Sequence, residues 1–114
     1  MTNLIINERE TDDAVILDLD GDITFGDGNL TLRREIRRLI GEGKTKIRLN
    51  LEKVFYVDSS GIGELISGLT AVHRVEGGEL TLLNPTQRIQ ELLEIAHLTK
   101  VFDIYQDESR AVFN

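Results

Sequence analysis

The period of the apolar residues changes several times along the chain, and this alternation restricts the possible folds more than any other feature. Apolar and polar residues alternate over 14–19 and 46–51, which is typical of β-strands with one buried face. Between and after these segments apolar residues recur every three to four positions, as in amphipathic helices. Repeated alternation of strands and helices predicts an α/β fold in which βαβ crossovers build a sheet and helices cover it.

The same patterns place the individual elements. Glu52-Lys53 is predicted to end a strand, and Asn84 is predicted to be an N-cap because Pro85 suits the first helical position. The predicted elements are strands at 4–6 and 14–19, a turn at 26–29, a helix ending at 41, strands at 46–51 and 54–57, a helix starting at 59–60, a strand at 79–83, a helix starting after 84, an apolar segment at 101–105 and a helical turn at 107–112.

Composition restricts the class of protein. One domain spanning 1–114 is the simplest organisation, because this length suits a single core and no repeat or Pro/Gly/Ser-rich linker divides the chain. The absence of cysteine excludes disulfides, thiolate metal sites and thiol catalysis. A net charge of −7 argues against nucleic-acid binding and favours a protein or small-molecule partner. Because neither a signal peptide nor a membrane-spanning run is visible, we expect a cytoplasmic protein without membrane association.

The segment Val57–Gly63 combines an acid, two hydroxyls and two glycines at a predicted strand-to-helix junction. Asp or Ser at a helix start accepts hydrogen bonds from unpaired N–H groups, which stabilises by roughly 1 kcal/mol. Capping does not explain two serines followed by Gly61 and Gly63, because each glycine in a helix costs roughly 1 kcal/mol relative to alanine. Glycine permits close approach of another backbone or a ligand. This segment is therefore the main candidate for a functional site.

The run Tyr56–Gly63 resembles the signature of STAS domains, the family that includes the bacterial anti-sigma factor antagonists. Gly21–Thr24 resembles the Gly-acid-hydrophobic segment that precedes the first helix of that family, and Val101–Tyr105 resembles its usual ending. The resemblance extends from Val15 to Val112. It implies a single STAS-type domain, a small mixed β-sheet with helices packed mainly on one face.

The resemblance also implies a function. The serine directly after the aspartate, Ser59, would be phosphorylated by a partner serine kinase, with Ser60 as the second choice. In such systems the unmodified protein binds an anti-sigma factor and so releases a sigma factor, phosphorylation breaks that complex, and a phosphatase reverses the mark. ATP binds to the kinase, so no cofactor is implied here. The oligomeric state stays open between a monomer and a weak dimer.

A partner-binding surface is predicted beside these serines, because small side chains lie opposite the apolar stripe of the second helix and would let a partner approach closely. That stripe consists of Ile62, Leu65, Ile66, Leu69 and Val72, and the opposite face of Glu64, Ser67, Gly68, Ala71 and Val75. The predicted partner-binding residues are Asp22, Thr24, Asp58, Ser60, Gly61, Gly63, Glu64, Ser67, Gly68 and Ala71. On the first helix, the arginines at 33, 34, 37 and 38 form either a solvated face or a contact patch for an acidic partner.

Asn50 and Glu52 depart from the family pattern, because many antagonists have Asp and Ser at these positions. The family also includes subunits of lipid-transport complexes and stressosome proteins. An alternative function is therefore that of a STAS adapter subunit, not phosphorylated, in a lipid ABC transporter or a stressosome-like signalling complex.

Other classes of protein fit less well. A phosphoaspartyl receiver has a similar length, but Lys100 precedes its strand instead of following it. A nucleophilic serine needs a base, and the two histidines are interpreted as a packing residue, His73, and a helix-end residue, His97, so we expect no enzyme. Asp18, Asp20 and Asp22 share a strand face and could bind a divalent cation, although a solvated strand end explains them more simply.

Overall fold

The computed structural model describes residues 4–108. The order of elements in these residues confirms the predicted alternation. The elements are β1 (Ile5–Glu10), β2 (Val15–Ile23), α1 (Asp27–Gly41), β3 (Lys46–Val57), α2 (Ser59–His73), β4 (Glu79–Leu83), α3 (Gln87–Ile95) and β5 (Asp103–Tyr105).

The five strands form one mixed sheet in the order β1-β2-β3-β4-β5. Strand β1 pairs antiparallel with β2, and every later pair is parallel. Since β2 and β3 are parallel and Ile23 lies opposite Val57, both strands end side by side at one edge of the sheet. The loop before α1 and the start of α2 therefore leave the sheet at the same place.

One apolar core lies between the sheet and the helices, and all three helices contribute to it. Its strand residues alternate along β2 and β3, as the period-2 pattern predicts. The fully buried core residues include Leu17, Leu19, Leu32, Leu39, Ile47, Leu49, Leu51, Leu65, Leu82 and Leu93. Ile16 and Leu83 belong to a second, smaller cluster with Tyr105. Helices packed mainly on one face of a mixed sheet confirm the predicted architecture.

Two predicted boundaries are wrong. Glu52-Lys53 does not end a strand, because β3 continues to Val57 beside β2 while the register between the two strands shifts at Asp18/Asp20. The predicted turn at 26–29 is mostly helix, since α1 begins at Asp27 and only Gly26 precedes it.

Asn84 is not an N-cap. Its φ of 52° places it in the left-handed region, and its N–H donates to the carbonyl of Tyr105 at 2.7 Å. Thr86 caps α3 instead, because its hydroxyl accepts a bond from the Ile89 N–H at 3.3 Å. The predicted turn at 107–112 lies mostly outside the described residues. Within 4–108, no helix is both long and apolar enough to cross a membrane.

Candidate partner-binding site

The first turn of α2 is built by Asp58, the N-cap residue that follows β3. Its Oδ1 accepts a hydrogen bond from the Gly61 N–H at 2.8 Å, which satisfies one of the free donors of the helix start. Its Oδ2 accepts a second bond from the Phe25 N–H at 3.1 Å, across the sheet edge. The predicted helix start at the serines is confirmed, and the same carboxylate also fixes the loop between β2 and α1.

The two serines differ in their surroundings. The Ser60 hydroxyl is half-buried, donates to Asp58 Oδ1 at 2.6 Å and accepts from Asn29 Nδ2 at 2.8 Å. The Ser59 side chain is exposed and takes part in no hydrogen bond with the residues from 4 to 108. Ser60 therefore joins the first turns of two helices, while the Ser59 hydroxyl is free to meet another molecule.

Asp58 is held in its ionised form. The hydroxyl of Ser60, and after it the backbone N–H groups of Phe25 and Gly61, lower the pKa of this carboxyl below its usual value. A fixed negative charge therefore lies directly beside Ser59.

The glycines of this region differ in how much space surrounds them. A Cβ at residue 61 would lie 2.8 Å from Cγ1 of Val57 and closer still to the carbonyl oxygen of Ile23, so α2 can begin this close to β2 only with glycine. Gly28 is under the same constraint, because a Cβ there would lie 2.5 Å from the carbonyl oxygen of Asp22. Nothing lies within 4 Å of the Cβ position at Gly63, which faces open space.

The predicted orientation of α2 is wrong at three positions. Glu64 is only 4% exposed and Gly68 is buried, whereas Ile66 is exposed. Glu64 faces α1, where Arg33 donates to it through Nη2 at 2.7 Å and through Nε at 3.2 Å. Gly68 faces α1 as well, since a Cβ there would lie 2.9 Å from Cδ1 of Ile36. Glu64 and Gly68 therefore belong to the contact between two helices and not to the outer face.

Gly61, also a predicted partner-binding residue, is buried against β2, but most of the others remain accessible. Gly63 and Ser67 are exposed, and Ala71 is half-buried. Asp22 and Thr24 are half-buried on the segment that leaves β2 beside the serines. The site that the structure assembles is therefore the sheet edge where β2 and β3 end, together with the exposed face of α2.

The alternative sites look different in the structure. His73 is not a packing residue, because it is exposed at the far end of α2. It lies 14 residues after Ser59, roughly 21 Å along the helix. Asp18 binds Arg9 and Asn50 instead of pointing to a common centre with other acids, and residues 4–108 contain no cluster able to hold a metal ion.

Two residues of this site were not singled out by the sequence. Phe25 is a large aromatic side chain within a turn-forming segment, which is an unusual place for one and could have served as a signal. Asn29 gives no local signal, because its importance comes from a hydrogen bond to Ser60, 31 positions later.

Comparison with known proteins identifies the family. Residues 6–111 match the STAS domain family, which is nearly the whole chain. The chain belongs to the STAS domain family. The predicted resemblance is confirmed, and the exposed serine of this STAS domain lies in the segment that carried the resemblance.

The curated relatives of this STAS domain align over most of both chains. It is 29% identical over 101 residues to a Thermotoga neapolitana homologue of the protein TM1081, covering 89% of this chain and 88% of the relative. It is 26% identical over 102 residues to the anti-sigma-B factor antagonist of Bacillus subtilis, covering 90% and 91% of the two chains.

Solved structures show the same fold. The crystal structure of TM1081 from Thermotoga maritima matches with a TM-score of 0.82 at 24% identity, covering 94% of this STAS domain and 91% of that chain. The phosphorylated form of the Bacillus cell fate determinant SpoIIAA matches with a TM-score of 0.72 at 24% identity, covering 95% and 96% of the two chains. These matches establish the fold that this STAS domain shares with both proteins.

Proposed function

We propose that this STAS domain is an anti-sigma factor antagonist that a partner serine kinase switches by phosphorylating Ser59. The observation that carries the proposal is the contrast between the two serines: Ser59 is exposed and unbonded within residues 4–108, whereas Ser60 is bound on two sides. One curated relative is named an anti-sigma-B factor antagonist, and one structural neighbour has been solved in a phosphorylated form. Both support this proposal.

The phosphate would act on binding more than on folding. A phosphate adds roughly −1.5 to −2 charges at pH 7. The exposed first turn of α2 tolerates such a group, since water solvates it and the positive end of the helix dipole favours it. It finds few new partners within the fold, because the Gly61 N–H and the Ser60 hydroxyl are already bonded to Asp58.

At an interface the same charge is costly. A partner that covers Ser59 has to remove water from the phosphate and from Asp58 next to it, and two like charges repel more strongly in such surroundings. The unphosphorylated protein therefore binds the anti-sigma factor, which sets the sigma factor free, and phosphorylation breaks the complex. A phosphoserine phosphatase restores the binding form.

Labelling with the kinase tests the site directly. The full chain is incubated with ATP and each purified anti-sigma factor serine kinase encoded in the same genome, and the phosphate is located by mass spectrometry. We expect one phosphate on Ser59, lost in Ser59→Ala and kept in Ser60→Ala. Transfer to Ser60 would move the site, and no label on either serine would favour the adapter function.

Binding of charge-mimicking variants tests the consequence. Ser59→Asp is expected to abolish binding to the same kinase in calorimetry, while the circular dichroism spectrum stays unchanged. Ser59→Ala is the matched control and should bind like the wild type, because it removes the hydroxyl without adding charge. Undiminished binding of Ser59→Asp would contradict the proposed switch.

A further inference from the structure

Phe25 is the most exposed large apolar side chain within residues 4–108, with 86% of its surface accessible. It lies in the short loop between β2 and α1, at the sheet edge where Val57 leads into Ser59. Exposed single apolar residues are common on protein surfaces. Phe25 differs from most of them because its backbone is fixed to the proposed phosphorylation site.

Three contacts fix this loop to the start of α2. The Asp58 N–H donates to the carbonyl of Ile23 at 3.4 Å, immediately before the loop. The Phe25 N–H donates to Asp58 Oδ2 at 3.1 Å, within the loop. Asn29 Nδ2 donates to Ser60 Oγ at 2.8 Å, in the helical turn that follows. The backbone that carries the aromatic ring is therefore already ordered before a partner binds.

We propose that Phe25 is an apolar anchor for the same partner that binds around Ser59, and that Asn29 positions it. This inference rests on the proposed function and adds to it a second contact of different chemistry. Aromatic side chains contribute a large share of binding energy when a partner encloses them. Binding also loses less conformational entropy when the loop is already fixed. The partner must therefore carry an apolar pocket beside the surface that meets Ser59.

A second copy of this chain is a poorer occupant for this surface. Each copy carries a net charge of −7, so two copies repel each other at low ionic strength. Across a two-fold interface centred on Phe25, Asp58 would lie near its own copy, which places like charges together. A partner with basic groups around an apolar pocket matches both the exposed ring of Phe25 and the negative charge beside it.

Asn29 acts through the loop and does not need to touch the partner. It is only 8% exposed, and its Oδ1 is buried without a hydrogen-bond partner among residues 4–108, so the bond from its Nδ2 to Ser60 is the side-chain contact that these residues show for its amide. A buried unsatisfied oxygen is unfavourable for stability. The bond to Ser60 is therefore the contact through which Asn29 positions the loop.

Calorimetry with the anti-sigma factor serine kinase that binds the wild type tests the anchor. Phe25→Ala is expected to raise Kd roughly tenfold or more, with unchanged circular dichroism and melting temperature. Val101→Ala is the matched control, because Val101 is also exposed but precedes β5 and so lies at the opposite edge of the sheet. Its Kd should stay within about twofold of the wild type.

Asn29→Ala separates positioning from general stability. Its Kd should rise by less than that of Phe25→Ala, and the double variant should bind like Phe25→Ala alone, since both changes act through the same ring. A purely structural role for Asn29 would instead give additive losses.

The possible outcomes are distinguishable. If the wild type binds no such kinase, the proposed function and the anchor both fail. If the wild type binds and Phe25→Ala binds equally well, only the anchor is overturned. If sedimentation velocity shows that the wild type self-associates and Phe25→Ala does not, while kinase binding is unaffected, the ring serves a second copy and the proposal is wrong.

Discussion

Helices α1 and α2 begin at the same edge of the sheet, but only one of them supplies its own cap. Asp58 caps α2 with its side chain, whereas the N-cap residue of α1 is Gly26, which has no side chain to cap with. The first turn of α1 is instead bonded to that of α2 through Asn29 and Ser60. The start of α2 therefore organises its neighbour as well as itself, and a change there should affect both helices.

Both starts also depend on glycine, to different degrees. Gly61 has no room for a Cβ against β2 and β3, and Gly28 has little room against β2 alone. If the start of α2 organises this edge of the sheet, loss of the close contact at Gly61 should destabilise the fold more than loss of the close contact at Gly28.

The largest effect is expected from alanine at these glycines. Gly61→Ala should lower the free energy of unfolding by roughly 3 kcal/mol and Gly28→Ala by roughly 2 kcal/mol, because each Cβ overlaps a backbone carbonyl. Gly63→Ala is the control and should stabilise by roughly 0.5–1 kcal/mol, because it faces open space in a helix. Urea unfolding measures all three. A larger loss for Gly28→Ala than for Gly61→Ala would contradict the inference that the start of α2 organises this edge of the sheet.

A medium effect is expected one turn further along the two helices, where Arg33 meets Glu64. Arg33→Ala should destabilise the fold in urea unfolding, because it leaves a buried carboxylate without its charged partner. Arg37→Ala, an exposed arginine of the same helix, should change stability by less than about 0.5 kcal/mol.

A double variant checks that the buried charge is the cause. Glu64→Gln introduced into Arg33→Ala should recover part of the loss, because a neutral amide is less costly to bury than an unpaired carboxylate. No recovery would mean that the packing of the arginine stem matters more than its charge.

The smallest effect is expected from the charge of the α2 cap. Because the pKa of Asp58 is lowered in the folded protein, its ionised form stabilises the fold above the unfolded-state value of about 4. That contribution is lost as pH falls below about 4 and through the folded-state pKa. Asp58→Asn keeps a capping oxygen without this titration. The wild type should therefore be more stable than Asp58→Asn at pH 7 in urea unfolding, and the difference should shrink at pH 3.

A constant difference between pH 7 and pH 3 would contradict this assignment. It would show that the geometry of the amide, and not the charge of Asp58, distinguishes the two proteins.

The start of α2 was predictable because its signals are local. A capping acid, two serines and two glycines stand next to each other in the chain, and the alternation of Ile47, Leu49 and Leu51 gave the buried face of β3. The family signature occupies the same short segment, so sequence alone reached the serine that the proposal uses.

The orientation of α2 was not predictable, because its buried face does not consist of apolar residues alone. Gly61 and Gly68 lie on that face to admit β2 and α1, and Glu64 is buried because Arg33 reaches it from another helix. A hydrophobic stripe is therefore a poor guide where close backbone contact and a long-range ion pair decide which side faces inward. Ile66 is exposed for this reason.

The strand order of the sheet has a consequence for how the chain folds. Every strand pairs only with its neighbours in sequence, so no pairing has to wait for a segment more than one crossover away. The entropy lost in closing a loop grows with loop length, and topologies with short sequence separations fold faster. The sheet can therefore grow in one direction, from the β1–β2 hairpin towards β5, as the chain emerges from the ribosome.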